Sequence, residues 1–361
     1  MRGLVFLGDK KTEVRDFPIP TPGPNDVRIR IKASAICGSD RHMYKAPHEL
    51  LASGKFGATG AGSPQYRFGA VSGHEGAGFI DAVGENVEGL KVGDRVTIHH
   101  HQGCGHCTHC LSGEPMLCGD RRCSGHGLPG TNAEYTLIAA KCCVKLPEEI
   151  STEVGAFLGC QGITAYSALR KLEISGNTPL VVYGLGPLGM IASLMAKRMG
   201  ATVTGIDISD YRLRFAREKG LVDFTLNPGK DDCEAWLKQF TKGIGVKKGL
   251  VACGAPQMLW LSSVAASVKG LIILIGVAEG ALDPTMDASF SFDGRHVIRK
   301  ELTIRGSYVM PMGMFEDLFS FLTEKKVDLG VLTTHHFRIE DGDEAFALFD
   351  QGETGKVVFN F

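Results

Sequence analysis

The sequence predicts a two-domain α/β protein in which a β-rich domain is interrupted by a doubly wound parallel-sheet domain. Three observations carry this. Short β-rich runs separated by Gly, Pro and Asn fill residues 1 to about 150. From 151 to 297 apolar strands alternate with helical stretches, the texture of a parallel sheet. From 298 to 361 a strand, a helix (Met314 to Lys325) and the closing run KVVFNF return the chain to the first domain. At 361 residues, 43% of them hydrophobic, the chain is long enough to bury two cores.

In the first domain the strands are DVRIRIKAS, GAGFIDAVG, GDRVTIHHH and AEYTLIAA. Residues 52 to 63, ASGKFGATGAGS, offer little that packs and read as a mobile loop. The run His99, His100, His101 reads as a solvated strand end, with an adventitious metal site as the other reading. In the second domain a helical stretch around Glu153 to Ala168 precedes PLVVYGLG, and the alternation continues through TVTGIDIS, GLVACG and LIILIGVA, with VAASVKG closing the helix before the last of these. The apolar run Leu271 to Val277 is too short to span a bilayer; it reads as a buried strand and as a candidate edge for pairing with a second subunit.

A formal net charge of -1 gives no general attraction to nucleic acid or to an anionic membrane, which leaves small-molecule chemistry. Charges within the first dozen residues and the lack of an apolar h-region speak against a secretory signal, so a cytoplasmic location is expected. Four of the eleven cysteines are bunched within fifteen residues, a pattern that suits metal binding better than a disulfide framework.

Between the strand PLVVY and the next helical stretch, GLGPLG sets Gly184, Gly186 and Gly189 in a G-x-G-x-x-G turn that also contains Pro187 and Leu188. The first glycine permits the bend, the second lets backbone approach a pyrophosphate, and the third allows close helix packing. The helix N-terminus then faces the phosphate charge. Asp207 ends the next strand, placed for a ribose diol, and its carboxylate would repel a 2′-phosphate; this favours NAD over NADP. Arg212, five residues on, is the cation that would suit the phosphate instead.

Two sets of metal ligands follow. Cys104, Cys107, Cys110 and Cys118, spaced C-x-x-C-x-x-C-x7-C, can wrap one tetrahedral zinc as a closed structural site, with His106 and His109 as solvated spacers. Cys37 in ICGSDRH, His74 and Glu75 in SGHEGAG, and Cys160 in FLGCQG are dispersed. Two cysteines and a histidine make a three-ligand zinc with an open fourth position, although a buried cysteine taken alone is usually inert core.

At these residues the chain resembles the zinc-containing medium-chain dehydrogenase/reductase family, the alcohol, sorbitol and threonine dehydrogenases, over essentially its whole length. The matching points are C-G-S-D-x-H at 37 to 42, G-H-E at 73 to 75, the four-cysteine lobe, Cys160 and GLGPLG. The resemblance implies a GroES-like catalytic domain, a Rossmann coenzyme domain, two zinc ions per chain, NAD, and a homodimer or homotetramer. It implies reversible oxidation of a secondary alcohol, polyol or other hydroxylated small molecule to the ketone. Cys37, His74 and Cys160 would bind the catalytic zinc, with Glu75 an occasional ligand or neighbour to the shell. Ser39 would take the substrate hydroxyl proton, relayed through the nicotinamide ribose to His42, while Asp40 would orient His74. Thr164 would contact the nicotinamide and Arg212 the adenosine ribose. The gap from Cys37 to His74 is longer than the family's usual one, which leaves the substrate open. An NADP-dependent aldehyde or ketone reductase, and a zinc- and NAD-binding relative without turnover, are the alternatives; intact Ser39, Asp40 and His42 speak against the second.

Overall fold

The computed structural model describes residues 1–57, 66–276 and 292–361. These form two compact units: Met1–Ile163 with Met310–Phe361, and residues 164–276 with 292–309. Among the described residues no helix is long and apolar enough to cross a membrane.

The first unit is built on a sheet that has seven strands among the described residues. Its order runs Thr333–Phe337, Lys356–Asn360, Asp26–Ala35, Glu75–Val83, Arg95–Ile98, Cys143–Lys145, with Tyr135–Ala139 also pairing on Asp26–Ala35. All pairings are antiparallel except that of Thr333–Phe337 with Lys356–Asn360. Alternation explains the central strand: Val27, Ile29 and Ile31 all point inward, where they join Ile80, Val96, Ile98 and Ile138 in one core. A second core gathers around Phe346 of the helix Gly342–Gln351, whose ring meets Phe6 edge-on at 4.9 Å and stacks on Tyr44 at 5.3 Å.

Within the stretch expected to be an unpacked loop, Phe56 is buried in that second core and meets the ring of Tyr66 edge-on at 6.4 Å. One aromatic in a Gly-rich run is enough to anchor it. Residues 58–63 of that stretch lie outside the described residues.

The second unit holds a parallel sheet ordered Phe224–Leu226, Thr202–Ile206, Pro179–Tyr183, Val246–Val251, Ala266–Leu274, Thr303–Gly306 among the described residues. Counted from Pro179–Tyr183 this is the 3-2-1-4-5-6 order of a dinucleotide-binding domain, with its switch point beside that first strand. Its central strands Pro179–Tyr183 and Thr202–Ile206 are buried on both faces, which is why they read as apolar runs without alternation.

Three expectations are corrected here. Thr303–Gly306 pairs parallel with Ala266–Leu274, so the chain leaves the parallel sheet after this strand and not at 298. For the same reason Ala266–Leu274 is an interior strand, and among the described residues the edge is Thr303–Gly306; Val277 lies outside them. The helix Pro256–Ala265 ends earlier than VAASVKG suggested, because Ala266 already begins the strand.

Truncating Phe346, fully buried among Phe6, Tyr44 and Phe359, is expected to cost about 3–5 kcal/mol. Exposed Val92 truncated to Ala should stay within about 0.5 kcal/mol. Denaturant unfolding of Phe346→Ala and Val92→Ala checks the contrast.

Candidate active site

The strand register brings three remote segments together. Ala35 pairs with Glu75 across the antiparallel ladder, so the chain leaving that strand at Cys37 stands beside His74 and Glu75. The third segment follows the helix Thr152–Phe157, whose first turn is capped by Ser151 Oγ accepting from Val154 N at 3.1 Å. That helix runs into a π-helical turn, Leu158–Gly162, which carries Cys160. Such widened turns concentrate at functional sites because they re-aim a side chain.

One ligand atom from each of Cys37, His74, Glu75 and Cys160 lies within 4.8 Å of the others, and the two thiols are 3.9 Å apart. Two sulfurs at ~2.3 Å from a tetrahedral ion stand roughly 3.8 Å apart. Glu75 Oε1 is buried with no hydrogen-bond partner among the described residues, a vacancy of the kind an ion fills. Two thiols, an imidazole and a carboxylate also suit zinc in softness, so the residues fit that metal.

Asp40 ties the set together. One carboxylate oxygen accepts from Cys37 N at 2.9 Å, and the other lies 3.2 Å from His74 Nδ1. His74 Nε2 is 3.4 Å from Ser39 Oγ. Ser39 and His42 stand three residues apart, at the N-cap and in the body of the short helix Asp40–Lys45.

Lys356 is the residue that sequence reasoning missed. Its ammonium, fully buried, donates to Glu75 Oε2 at 2.5 Å, to the Ile36 carbonyl at 2.8 Å and to Gln161 Oε1 at 3.2 Å, and lies 5.3 Å from the Phe157 ring centroid. The available signal was a lysine in the apolar run KVVF, where a charge persists only if it is paired. Burial pushes the Glu75 carboxyl up to about 8 against the pull of Lys356. A hydrogen bond from Cys160 holds the Cys37 thiol well below its usual range, and the same bond holds Cys160 well above it. Burial opposes charging of His74, but Asp40 and Cys37 outweigh it and hold the imidazole well above its usual range.

The four-cysteine lobe closes as its spacing implies. Ligand atoms of Cys104, Cys107, Cys110 and Cys118 lie within 4.8 Å of one another, with Cys104 and Cys110 sulfurs 4.0 Å apart. Backbone N–H groups of His106 and Cys107 hold the Cys104 thiol down to about 6. His106 and His109 are exposed. All eleven cysteines are free of disulfides.

His99, His100 and His101 are buried, which corrects the solvated strand end. The strand Arg95–Ile98 stops before them, and the chain bends inward toward His74, whose ring centroid lies 5.1 Å from that of His100.

In the second unit the glycine turn adopts the expected form. Gly184 has φ +96°, and a Cβ at Gly189 would stand 1.9 Å from the Gly184 carbonyl oxygen. Gly186 is the N-cap and Pro187 the first residue of the helix Pro187–Arg198; Leu188 is half-buried. Asp207 accepts from Leu185 N at 2.7 Å and from Ser209 N at 2.9 Å, and lies 3.7 Å from Arg212 Nη1. Thr164 is buried on the helix Ile163–Lys171.

Residues 23–148 match the family described as alcohol dehydrogenase GroES-like domain, and residues 187–324 match zinc-binding dehydrogenase. An uncharacterized zinc-type alcohol dehydrogenase-like protein, YphC of Escherichia coli K12, is 34% identical over 366 residues, covering 100% of this chain and 99% of its own. The chain belongs to the zinc-containing medium-chain dehydrogenase/reductase family. Another member, L-threonine 3-dehydrogenase of Deinococcus deserti, is 34% identical over 352 residues, covering 96% of this chain and 94% of its own. Among solved structures, an Escherichia coli CFT073 alcohol dehydrogenase in complex with NADH superposes with TM-score 0.85 at 26% identity, covering 100% of this chain and 99% of that one. As a family member this chain is a zinc-type oxidoreductase with a GroES-like domain and a Rossmann domain.

Removing Lys356 leaves the buried Glu75 carboxyl without its partner. Lys356→Ala is expected to destabilise the first unit by about 3–5 kcal/mol, and the double variant Lys356→Met with Glu75→Gln to recover most of that loss. Thermal or denaturant unfolding of both variants reads this out.

Proposed function

We propose that this protein is an NAD-dependent zinc dehydrogenase that oxidises a secondary alcohol or polyol to the ketone, and that it carries two zinc ions per chain. The observation that carries the reading is the convergence of Cys37, His74, Glu75 and Cys160, with Ser39 Oγ 3.4 Å from His74 Nε2. L-threonine, named for one relative, bears a secondary alcohol at carbon 3, which supports that substrate class.

The zinc would be held by Cys37, His74 and Cys160 and would supply Lewis acidity toward a substrate oxygen. The chain's own residues do the rest. Asp40 fixes the Cys37 backbone and the His74 ring, so the ligand geometry is set before substrate arrives. Lys356 holds one oxygen of Glu75 on the side of Ile36 and Gln161. Ser39 Oγ would take the hydroxyl proton as it passes its own onward, and His42, in the body of the helix that Ser39 begins, would be the end of that relay. NAD, when bound, would supply the hydride acceptor, which makes ketone, NADH and a proton the products. The four-cysteine lobe would hold the second zinc in a closed, structural role.

Asp207 supports NAD over NADP. Its buried carboxylate, held by two backbone N–H groups, would repel a 2′-phosphate, and Arg212 at 3.7 Å offsets only part of that charge.

The test is zinc per chain together with NADH formation over a panel of secondary alcohols and polyols. Cys37→Ser is expected to lose one zinc and turnover, and Ser39→Ala to keep both zincs while kcat falls about 10²–10⁴-fold. No turnover on any alcohol, with zinc unchanged in Cys37→Ser, would overturn the reading. Gly189→Ala places a methyl against the Gly184 carbonyl and is expected to weaken NAD binding tenfold or more, roughly 1.4 kcal/mol, as read by NADH fluorescence titration.

A further inference from the structure

The four-cysteine lobe is entered and left through one narrow neck. Strand His101–Gln102 leads in, strand Arg122–Cys123 leads out, and their two-residue antiparallel ladder sets His101 directly opposite Cys123. Ser124 N donates to the His100 carbonyl at 3.0 Å and extends the closure by one bond.

Successive strand residues ordinarily point to opposite faces, yet the chain bends at His100 and the imidazoles of His100 and His101 come to 4.2 Å between ring centroids. Both face Cys123, and one ligand atom from each of the three residues lies within 4.8 Å of the others. All three side chains are buried. We propose that His100, His101 and Cys123 form a third transition-metal site, distinct from the active-site set and from the four-cysteine lobe, which staples the neck of that lobe.

The surroundings fit a ligand role for His100. Its Nδ1 lies 2.9 Å from the Gly159 carbonyl, an acceptor only, so Nδ1 carries the proton and Nε2 the lone pair, the arrangement common for metal-bound imidazole. His99 is different: its two nitrogens face the carbonyls of His101 and Met310 at 3.0 and 3.1 Å, which keeps it out of the set. Two imidazoles and a thiolate are borderline-soft donors that select zinc, cobalt or copper over magnesium or calcium. Ligands at ~2.0–2.3 Å from a tetrahedral ion stand roughly 3.3–3.8 Å apart, inside the 4.8 Å within which these three atoms lie. The ion replaces the Cys123 thiol proton, which leaves to solvent, and its fourth position is filled by water or a small anion.

The experiment uses the purified full chain, equilibrated with excess Zn2+, freed of unbound metal and assayed for zinc and protein. Wild type is expected to hold three zincs, and Cys123→Ser and His101→Gln two each, with circular dichroism unchanged. In parallel, Co2+ added to the two-zinc form should give a thiolate charge-transfer band in wild type that is lost in Cys123→Ser. Two zincs in wild type with no such band, or three zincs retained in Cys123→Ser, would overturn the proposal. Because Cys37→Ser removes a different zinc, failure here is distinguishable from failure of the active-site reading.

Discussion

The candidate active site depends on one constraint: four candidate ligand side chains, Cys37, His74, Glu75 and Cys160, from three remote segments must meet in a dry interior, and the charges they bring must be neutralised there. Ala35 shows how the sheet meets it. Its strand pairs with Glu75 on one side and with Val358 on the other, so the C-terminal strand delivers Lys356 to the flank of the ligand set. Without that ammonium the buried Glu75 carboxyl, already pushed up by burial, would have nothing to draw it toward ionisation and its oxygens would be left unsatisfied in a dry interior. Lys356 therefore links the last strand of the chain to the chemistry of residues 37 to 75.

The same economy governs Asp40. Placed three residues after Cys37, it satisfies that residue's backbone N–H and faces the ring of His74, so one carboxylate orients two ligands. Its strict burial means that it is not a solvent-facing charge of the short helix it begins. Ser39, beside it, is left half-buried, as the proton exchange proposed for it would require.

The glycine turn of the second unit is governed by sterics instead of charge. A positive φ at Gly184 and the carbonyl pressed against Gly189 bring strand and helix together, and Asp207 completes the turn by accepting from Leu185 N. The carboxylate expected to face a ribose thus also holds the glycine loop in shape. Function and folding draw on the same oxygen atoms.

Local features were legible in the sequence because their partners lie within a few residues: the four-cysteine lobe, the glycine turn, the 2-residue and 3.6-residue periodicities, and the ordered motifs that mark the family. Dispersed ligands such as Cys37, His74 and Cys160 were legible only through that resemblance, since no spacing rule connects residues so far apart. Tertiary structure alone decided the role of Lys356, because pairing across three strands leaves no trace in linear order beyond a lysine in an apolar run. It also decided that His99, His100 and His101 turn inward, since a bend after Ile98 breaks the alternation that would have put some of them in water. The assignment of Thr303–Gly306 to the parallel sheet belongs to the same class, because a short half-exposed edge strand carries too weak a pattern to declare which sheet it joins.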